Sequence, residues 1–203
     1  MLKKNHEVAQ TSGRKLLMIV GEGHENLHCR QVIFSLMHTC RSLLKISHLA
    51  VELNHRALPV MQSEKMKVKN IHHFLRKATE DGWDILPVDK HHDLKGEDCH
   101  SLGMSPMTWR NQGIREDLEV QLVEHGMMIV GASHLYGLMG ELKKIEKTHH
   151  VVYLNTLSFK GHPHAHALEY SWANDSKFVE QLTVAEIDEQ IICENESVTR
   201  NKV

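Results

Sequence analysis

The 203-residue chain lacks the features that mark several large classes of protein. Its four cysteines form no C-x-x-C pair, which argues against a disulfide framework and against a thiolate zinc site. No apolar run approaches the roughly 20 residues of a membrane-spanning helix, and residues 1–14 lack the apolar core of a signal peptide. We therefore expect a cytoplasmic protein without a membrane span, unless it is exported by a route that needs no such signal.

The chain also lacks a strong net charge and three common nucleotide-binding and serine-hydrolase motifs. A formal charge of -2 and a charged fraction of 25% indicate no nucleic-acid footprint. The sequence contains no G-x-x-x-x-G-K-[ST], G-x-G-x-x-G or G-x-S-x-G pattern. We expect no nucleic-acid partner, and a small-molecule or peptide substrate instead.

Histidine, in contrast, is abundant, with eighteen residues. Imidazole is the commonest metal ligand, and it titrates near neutral pH. Two histidines end copies of one pattern, M-I-V-G-x-x-H, which spans residues 18–24 and again 128–134. Each copy is a short apolar run followed by glycine, which is typical of a buried strand that ends in a tight turn. A histidine then follows just beyond the carboxyl end of each predicted strand.

Apolar runs alternate with amphipathic segments, which predicts a single α/β domain over residues 1–203 with a mainly parallel sheet flanked by helices. Residues 1–14 and 195–203 are polar and expected to be flexible. Pro87 favours an edge position for the third strand, because proline removes a ladder donor. The predicted strands are 15–20, 48–53, 83–89, 127–130 and 151–154. A helix is predicted at about 107–125, and residues 90–106 are predicted to be a loop or lid.

The C-terminal part of the chain carries weaker patterns. The sequence T-V-A-E at 183–186 has the form of a capping box and predicts a helix. His162, His164 and His166 would share one face of an extended segment, but Pro163 favours a solvated loop. The role of this histidine segment stays open.

Polar side chains follow the predicted strands of the sheet. In chain order they are His24, Glu52, Asp89, His91, His92 and His134. Because the carboxyl ends of parallel strands lie at one edge, we expect the active edge there. Imidazole and carboxylate groups are ligands for a divalent ion of the manganese, cobalt or zinc class, and they also act as general bases on water. Arg110, inward on the helix before the fourth strand, could stabilise an oxyanion or hold a carboxylate.

Each of these residues also has a structural interpretation. A histidine that follows a strand often serves as a hydrogen-bonded structural residue. Glu52 could cap a helix or form a buried ion pair with Arg56 or Arg110, and Asp89 could cap the turn that follows it. Arg110 and Asn111 could equally be a buried ion pair and its support.

Four short motifs together resemble one known superfamily. They are Gly21-x-x-His24, Glu52, Arg110-Asn111 and Gly131-Ala132-Ser133-His134-Leu135-x-Gly137. In order and spacing they resemble the TraB/PrgY, GumN and Tiki proteins, which are related more remotely to the ChaN-like and erythromycin-esterase-like groups. The resemblance spans most of residues 16–154 and implies a mixed α/β fold with two related GxxH elements.

The resemblance also implies an activity. Tiki-like proteins are regarded as metal-dependent proteases, erythromycin-esterase-like proteins as hydrolases in which a histidine activates water, and ChaN-like proteins bind haem. Carried over, His24, Glu52 and His134 would be metal ligands or water-activating groups, and Arg110 their electrostatic partner. Glu22 departs from the threonine more usual in the first motif. We expect a divalent-metal-dependent, peptidase-like hydrolase; the alternatives are a metal-independent esterase-type hydrolase with a histidine base, or a non-catalytic haem- or metal-binding protein.

Overall fold

The computed structural model describes residues 2–23, 27–62, 71–92, 99, 102–156 and 179–180. Within these residues the strands are β1 (Lys15–Glu22), β2 (His48–Val51), β3 (Asp84–Pro87), β4 (Gly126–Gly131), β5 (His149–Asn155) and β6 (Val179–Glu180). The helices are α1 (Leu2–Thr11), α2 (Leu27–Ser42), α3 (Ala57–Gln62), α4 (Ile71–Glu80), α5 (Pro106–Gln121) and α6 (Ala132–Glu141), with a short 3₁₀ helix at Ile145–Lys147. The predicted C-terminal helix, the histidine segment at 162–166 and the tail at 195–203 lie outside the described residues.

The strands form one parallel sheet in the order β3-β2-β4-β1-β5-β6, which confirms the predicted α/β fold. The strand that ends at Pro87 lies at an edge of the sheet, as predicted from the missing backbone donor. None of the helices in the described ranges combines the length and apolarity that a membrane span requires.

The two copies of the repeated pattern lie side by side, because β1 pairs with β4. The register joins Met18 to Met127 and Glu22 to Gly131, so the copies are staggered by one residue. Successive side chains of a strand point to opposite faces, and the stagger therefore places equivalent residues of the two copies on opposite faces. Met18 packs in the core on one face of the sheet, and Met128 packs in the core on the other.

Helices cover both faces of the sheet. Helices α1, α2 and α4 pack on one face, where the core includes Val20, Ile33 and Leu75. Helices α5 and α6 pack on the other face, where the core includes Leu118 and Leu135. The chain therefore leaves β1 toward one face and leaves β4 toward the other. Such a divergence opens a crevice at the carboxyl ends of neighbouring strands, which is where open α/β sheets bind ligands.

Gly21 has a different role from the predicted tight turn. It lies inside β1, and a Cβ atom there would stand 2.3 Å from Leu135 Cδ1 and 3.1 Å from the Ala132 backbone. The absent side chain thus lets the start of α6 pack closely against the end of β1.

Two further segments differ from the sequence-based expectation. Residues 2–11 form helix α1 rather than a flexible lead, because Leu2 and Ala9 are buried against the sheet. Helix α5 ends at Gln121 instead of near residue 125, because Leu122 takes an extended conformation and buries its side chain in the core. The remaining residues before β4 therefore lie in a short connection at the amino edge of the sheet. In the described parts of the predicted 90–106 loop, residues 90–92 and 102–103 form turns, Cys99 is helical, and α5 begins at the last residue of the loop.

Candidate functional site

Three of the predicted site residues meet at the carboxyl edge of the sheet. Glu52 directly follows β2, His134 lies in the first turn of α6 after β4, and Arg110 lies near the start of α5. Glu52 is 7% exposed and His134 2% exposed, so both are withdrawn from solvent. The third predicted ligand, His24, lies outside the described residues.

Both carboxylate oxygens of Glu52 accept hydrogen bonds. Oε1 accepts from Nη2 of Arg110 and, at 3.2 Å, from Nε2 of His134. Oε2 accepts from the backbone N–H of Gly131 at 2.7 Å. Glu52 therefore joins β4, α5 and α6 at the end of β2, and its orientation is fixed from three sides.

Arg110 connects Glu52 to a second buried carboxylate, that of Asp89 after β3. Its Nε and Nη2 atoms donate to Asp89 Oδ2 at 2.8 Å and 2.5 Å, and Asp89 is fully buried. Asp89 also caps the following turn, as predicted, by accepting from the backbone N–H of His91 at 3.2 Å. The Arg110 side chain is 26% exposed, and its Nη1 atom makes no hydrogen bond with any residue that the structure describes. Arg110 therefore links the two buried carboxylates, while part of its own side chain is exposed to solvent.

His134 is held through both ring nitrogens. Nδ1 lies 2.6 Å from Asn111 Oδ1, and Nε2 faces Glu52. The Asn111 amide oxygen only accepts, so Nδ1 donates to it, which leaves Nε2 directed at the Glu52 carboxylate. The ring is therefore oriented by Asn111, the residue next to Arg110 on α5.

The electrostatic environment favours the charged forms of Glu52 and Arg110. Burial alone would raise the pKa of Glu52, but the His134 hydrogen bond and charge, the Gly131 N–H and Arg110 together lower that pKa to about 2. Burial would likewise lower the pKa of Arg110, yet the carboxylates of Glu52 and Asp89 raise it. The Glu52 carboxylate and the Arg110 guanidinium thus stabilise each other's charged form.

The structural and functional interpretations of these residues therefore overlap. The ion pair of Glu52 with Arg110 and the support from Asn111, both considered as structural alternatives, are present. His91 points elsewhere, because its ring stacks on Trp109 with centroids 4.2 Å apart, and His92 donates its backbone N–H to Asp89 O. Within the part of the chain that the structure describes, no contact of the His91 or His92 side chain with Glu52 is seen.

Glu52 and His134 have the geometry of two ligands of one divalent ion. Their facing atoms are 3.2 Å apart, a separation that fits two ligands each about 2 Å from a shared ion. Metal-binding histidines commonly hold their second nitrogen on an oxygen acceptor, as His134 does on Asn111. Among the described residues, no group of three or more His, Cys, Asp or Glu side chains is placed to hold a metal ion. A complete site would need a ligand from elsewhere in the chain.

Gly137 supports the network in a way that the sequence did not reveal. A Cβ atom at Gly137 would lie 2.0 Å from Asn111 Nδ2, so the amide that orients His134 occupies the space left by the missing side chain. The pattern G-x-x-H-L-x-G contained this glycine, but its partner lies on another helix. The Asn111 side chain can therefore take this position only because residue 137 has no side chain.

We expect Gly137→Ala to lower the free energy of unfolding by about 1–3 kcal/mol, because the new methyl group must displace the Asn111 amide. Gly140→Ala is the matched control, since Gly140 lies on the same helix and a Cβ atom there would meet no other atom within 4 Å. Alanine favours the helix there, and the control should be neutral or slightly stabilising. Urea unfolding followed by circular dichroism measures both, and equal effects would contradict the packing role.

Comparison of the chain with known protein families, with curated proteins and with solved structures finds no match. The resemblance to the TraB, GumN and Tiki superfamily therefore stays a prediction, and the assignment of a function has to proceed from the site itself.

Proposed function

We propose that this protein is a divalent-metal-dependent hydrolase that cleaves a peptide or another acyl bond. The observation that carries the proposal is the Glu52–His134 pair, held at the carboxyl edge of the sheet with its ligand atoms 3.2 Å apart. His24 follows the neighbouring strand β1 in the sequence and is the residue proposed to complete the ligand set. The ion would be of the manganese, cobalt or zinc class, to which imidazole and carboxylate ligands are suited.

Each residue of the network has a role in this proposal. A divalent ion supplies Lewis acidity, which lowers the pKa of water and polarises a carbonyl group. Glu52 and His134 would hold the ion, and Glu52 or a histidine would take up the proton that the water loses. Arg110, whose side chain is 26% exposed, would stabilise the negative charge that develops on the carbonyl oxygen. Asn111 fixes the ring of His134, and Asp89 fixes the guanidinium of Arg110.

A metal-independent hydrolase is the second candidate, and one observation favours it. Arg110 and His134 contact the same oxygen of Glu52, so this oxygen has two partners within the described network without an added cation. In this version His24 acts as the general base on water, Glu52 orients it, and Arg110 stabilises the oxyanion. The two candidates differ in their response to strong chelators.

The test combines metal analysis of the purified protein with activity on a panel of peptides and esters. His24→Ala and His134→Ala should each reduce bound metal and lower kcat/KM by at least about 100-fold. His38→Ala, at an exposed position of α2, should leave both unchanged. Folded His24 and His134 variants that bind metal and turn over substrate like the parent would overturn the proposal. Activity that survives chelation but not His24→Ala would support the metal-independent candidate instead.

A further inference from the structure

The amino edge of the sheet, opposite the proposed active site, carries a second group of histidines. We call it the amino-edge cluster, and its members are His6, Lys15, His48, Glu124, His125 and His149. They come from α1, the starts of β1, β2 and β5, and the connection before β4. The proposed hydrolase uses none of them.

His125 makes the contact on which the cluster depends. Its Nδ1 atom accepts a hydrogen bond from the backbone N–H of Leu16 at 2.8 Å, across 109 residues of sequence. A ring nitrogen accepts only when it carries no hydrogen, and the protonated imidazole carries one on each nitrogen. The bond therefore exists only while His125 is neutral, and protonation would set two donors against each other at the buried start of β1.

His149 provides an internal contrast. Its Nε2 atom donates to Glu124 O at 3.2 Å, and its Nδ1 atom lies 2.9 Å from the hydroxyl of Thr148. A hydroxyl both donates and accepts, so His149 keeps both contacts whether its ring is neutral or protonated. Burial lowers the pKa of both rings, but of the two only His125 must lose a hydrogen bond when it is protonated.

The charges around His125 also oppose its protonation. The ring of His6 on α1 lies 5.1 Å from the ring of His125, and Lys15 and His149 add positive charge from β1 and β5. Glu124 is the acidic neighbour, but its carboxylate binds Lys15 Nζ at 2.7 Å. Burial, followed by His6 and Lys15, lowers the pKa of His125 below its ordinary value, and Glu124 only partly offsets this.

His48, at the start of β2, faces Glu124 from the other side of the cluster. Its Nε2 atom lies 3.4 Å from Asp84 Oδ2. The carboxylate of Asp84, on the neighbouring strand β3, is thus the acidic partner of His48.

We propose that His125 is an acid-sensitive latch at the amino edge, and that its protonation releases helix α1 from the start of β1. Helix α1 is joined to β1 by the short 12–14 turn, and its His6 ring packs on His125. Loss of the Leu16 bond frees the beginning of β1, and the positive charge that His125 gains is unfavourable beside His6 of α1 and Lys15. Burial of Leu2 and Ala9, and the hydrogen bond of Asn5 with His150, oppose this opening.

The sign of the pH dependence follows from the neutral ring. In the closed form, in which His125 is bonded to Leu16, the His125 ring takes up a proton less readily than in the open form. The open form therefore binds more protons as the pH falls below 6.5, the ordinary pKa of histidine. The stability of the latch is complete above pH 6.5 and decreases below it. At pH 5.5 the opening equilibrium rises by up to about tenfold, because that pH is one unit below the ordinary pKa.

Hydrogen–deuterium exchange of the α1–β1 segment tests the latch on the intact protein, after correction for the intrinsic pH dependence of exchange. Between pH 7.5 and 5.5 the parent should show a rise in opening of up to about tenfold. His125→Asn keeps an acceptor near the position of Nδ1 but cannot be protonated, so its opening should stay constant. His38→Asn is the same change at an exposed site and should behave like the parent. An equal rise in His125→Asn would overturn the proposal.

Nuclear magnetic resonance of the parent keeps the test decisive if His125→Asn fails to fold. The nitrogen shifts of the His125 ring should show hydrogen on Nε2 alone at pH 7.5. The Leu16 amide should lose its protection at the pH at which the ring becomes protonated. A ring that is protonated while Leu16 stays protected would overturn the latch, and neither measurement depends on hydrolase activity.

Discussion

Arg110→Met should lower the free energy of unfolding by about 3–5 kcal/mol, the cost typical of removing one partner from a buried ion pair. Arg110 binds the carboxylates of both Glu52 and Asp89, and these are 7% and 0% exposed. Methionine fills much of the same volume but supplies no donor. Two buried carboxylates would then face each other without their shared cation, and the pKa of Glu52 should rise.

Denaturant unfolding at pH 7 measures this effect, with Arg76→Met as the matched control. Arg76 pairs with Glu80 on the surface of α4 at 2.9 Å, and its side chain is 76% exposed. Exposed pairs contribute little, so the control should change stability by less than about 1 kcal/mol. Equal losses in the two variants would contradict the buried network.

The stabilities of the same two variants should also depend differently on pH. The folded-state pKa of Glu52 is about 2, below the ordinary 4.5, so Glu52 stabilises the parent above pH 4.5. That contribution decreases as the pH falls from 4.5 toward 2. Because Arg110→Met raises the pKa of Glu52, the variant should lose less stability than the parent over this window. Arg76→Met should follow the parent.

Local patterns in the sequence predicted most of the elements that build the site. Short apolar runs located β1, β2, β4 and β5, and Pro87 predicted the edge position of β3. A parallel sheet then required the residues after these strands to meet at one edge, which is why Glu52 and His134 were found together. These features depend on residues that are close in the sequence.

Features set by long-range packing could not be read in the same way. The one-residue stagger between β1 and β4 depends on how two strands pair that are more than 100 residues apart. The bond between Leu16 and His125 spans 109 residues, and the residue type alone gives no sign of it. Helix α1 is polar on average, and the burial of Leu2 and Ala9 becomes visible only when the sheet is in place.

Glu52→Gln should lower kcat/KM by about 10²–10⁴-fold if Glu52 is part of the catalytic centre. Glutamine keeps the shape of the side chain but loses the negative charge and one acceptor site. It therefore weakens the contacts with both Arg110 and His134. Asp89→Asn is the matched comparison, because Asp89 binds Arg110 but makes no hydrogen bond with His134 among the described residues.

The two amide variants separate a catalytic role from a structural one. Each removes one of the two carboxylates of Arg110, so each should cost a similar free energy of unfolding, about 3 kcal/mol. If Glu52 acts on the substrate, Glu52→Gln loses activity far beyond Asp89→Asn at temperatures where both variants are folded. If the network only stabilises the fold, both variants keep the parent's kcat/KM under those conditions. Equal stability with unequal activity would therefore assign the chemistry to the Glu52–His134 pair, whereas equal activity would leave Glu52 as an ion-pair partner of Arg110.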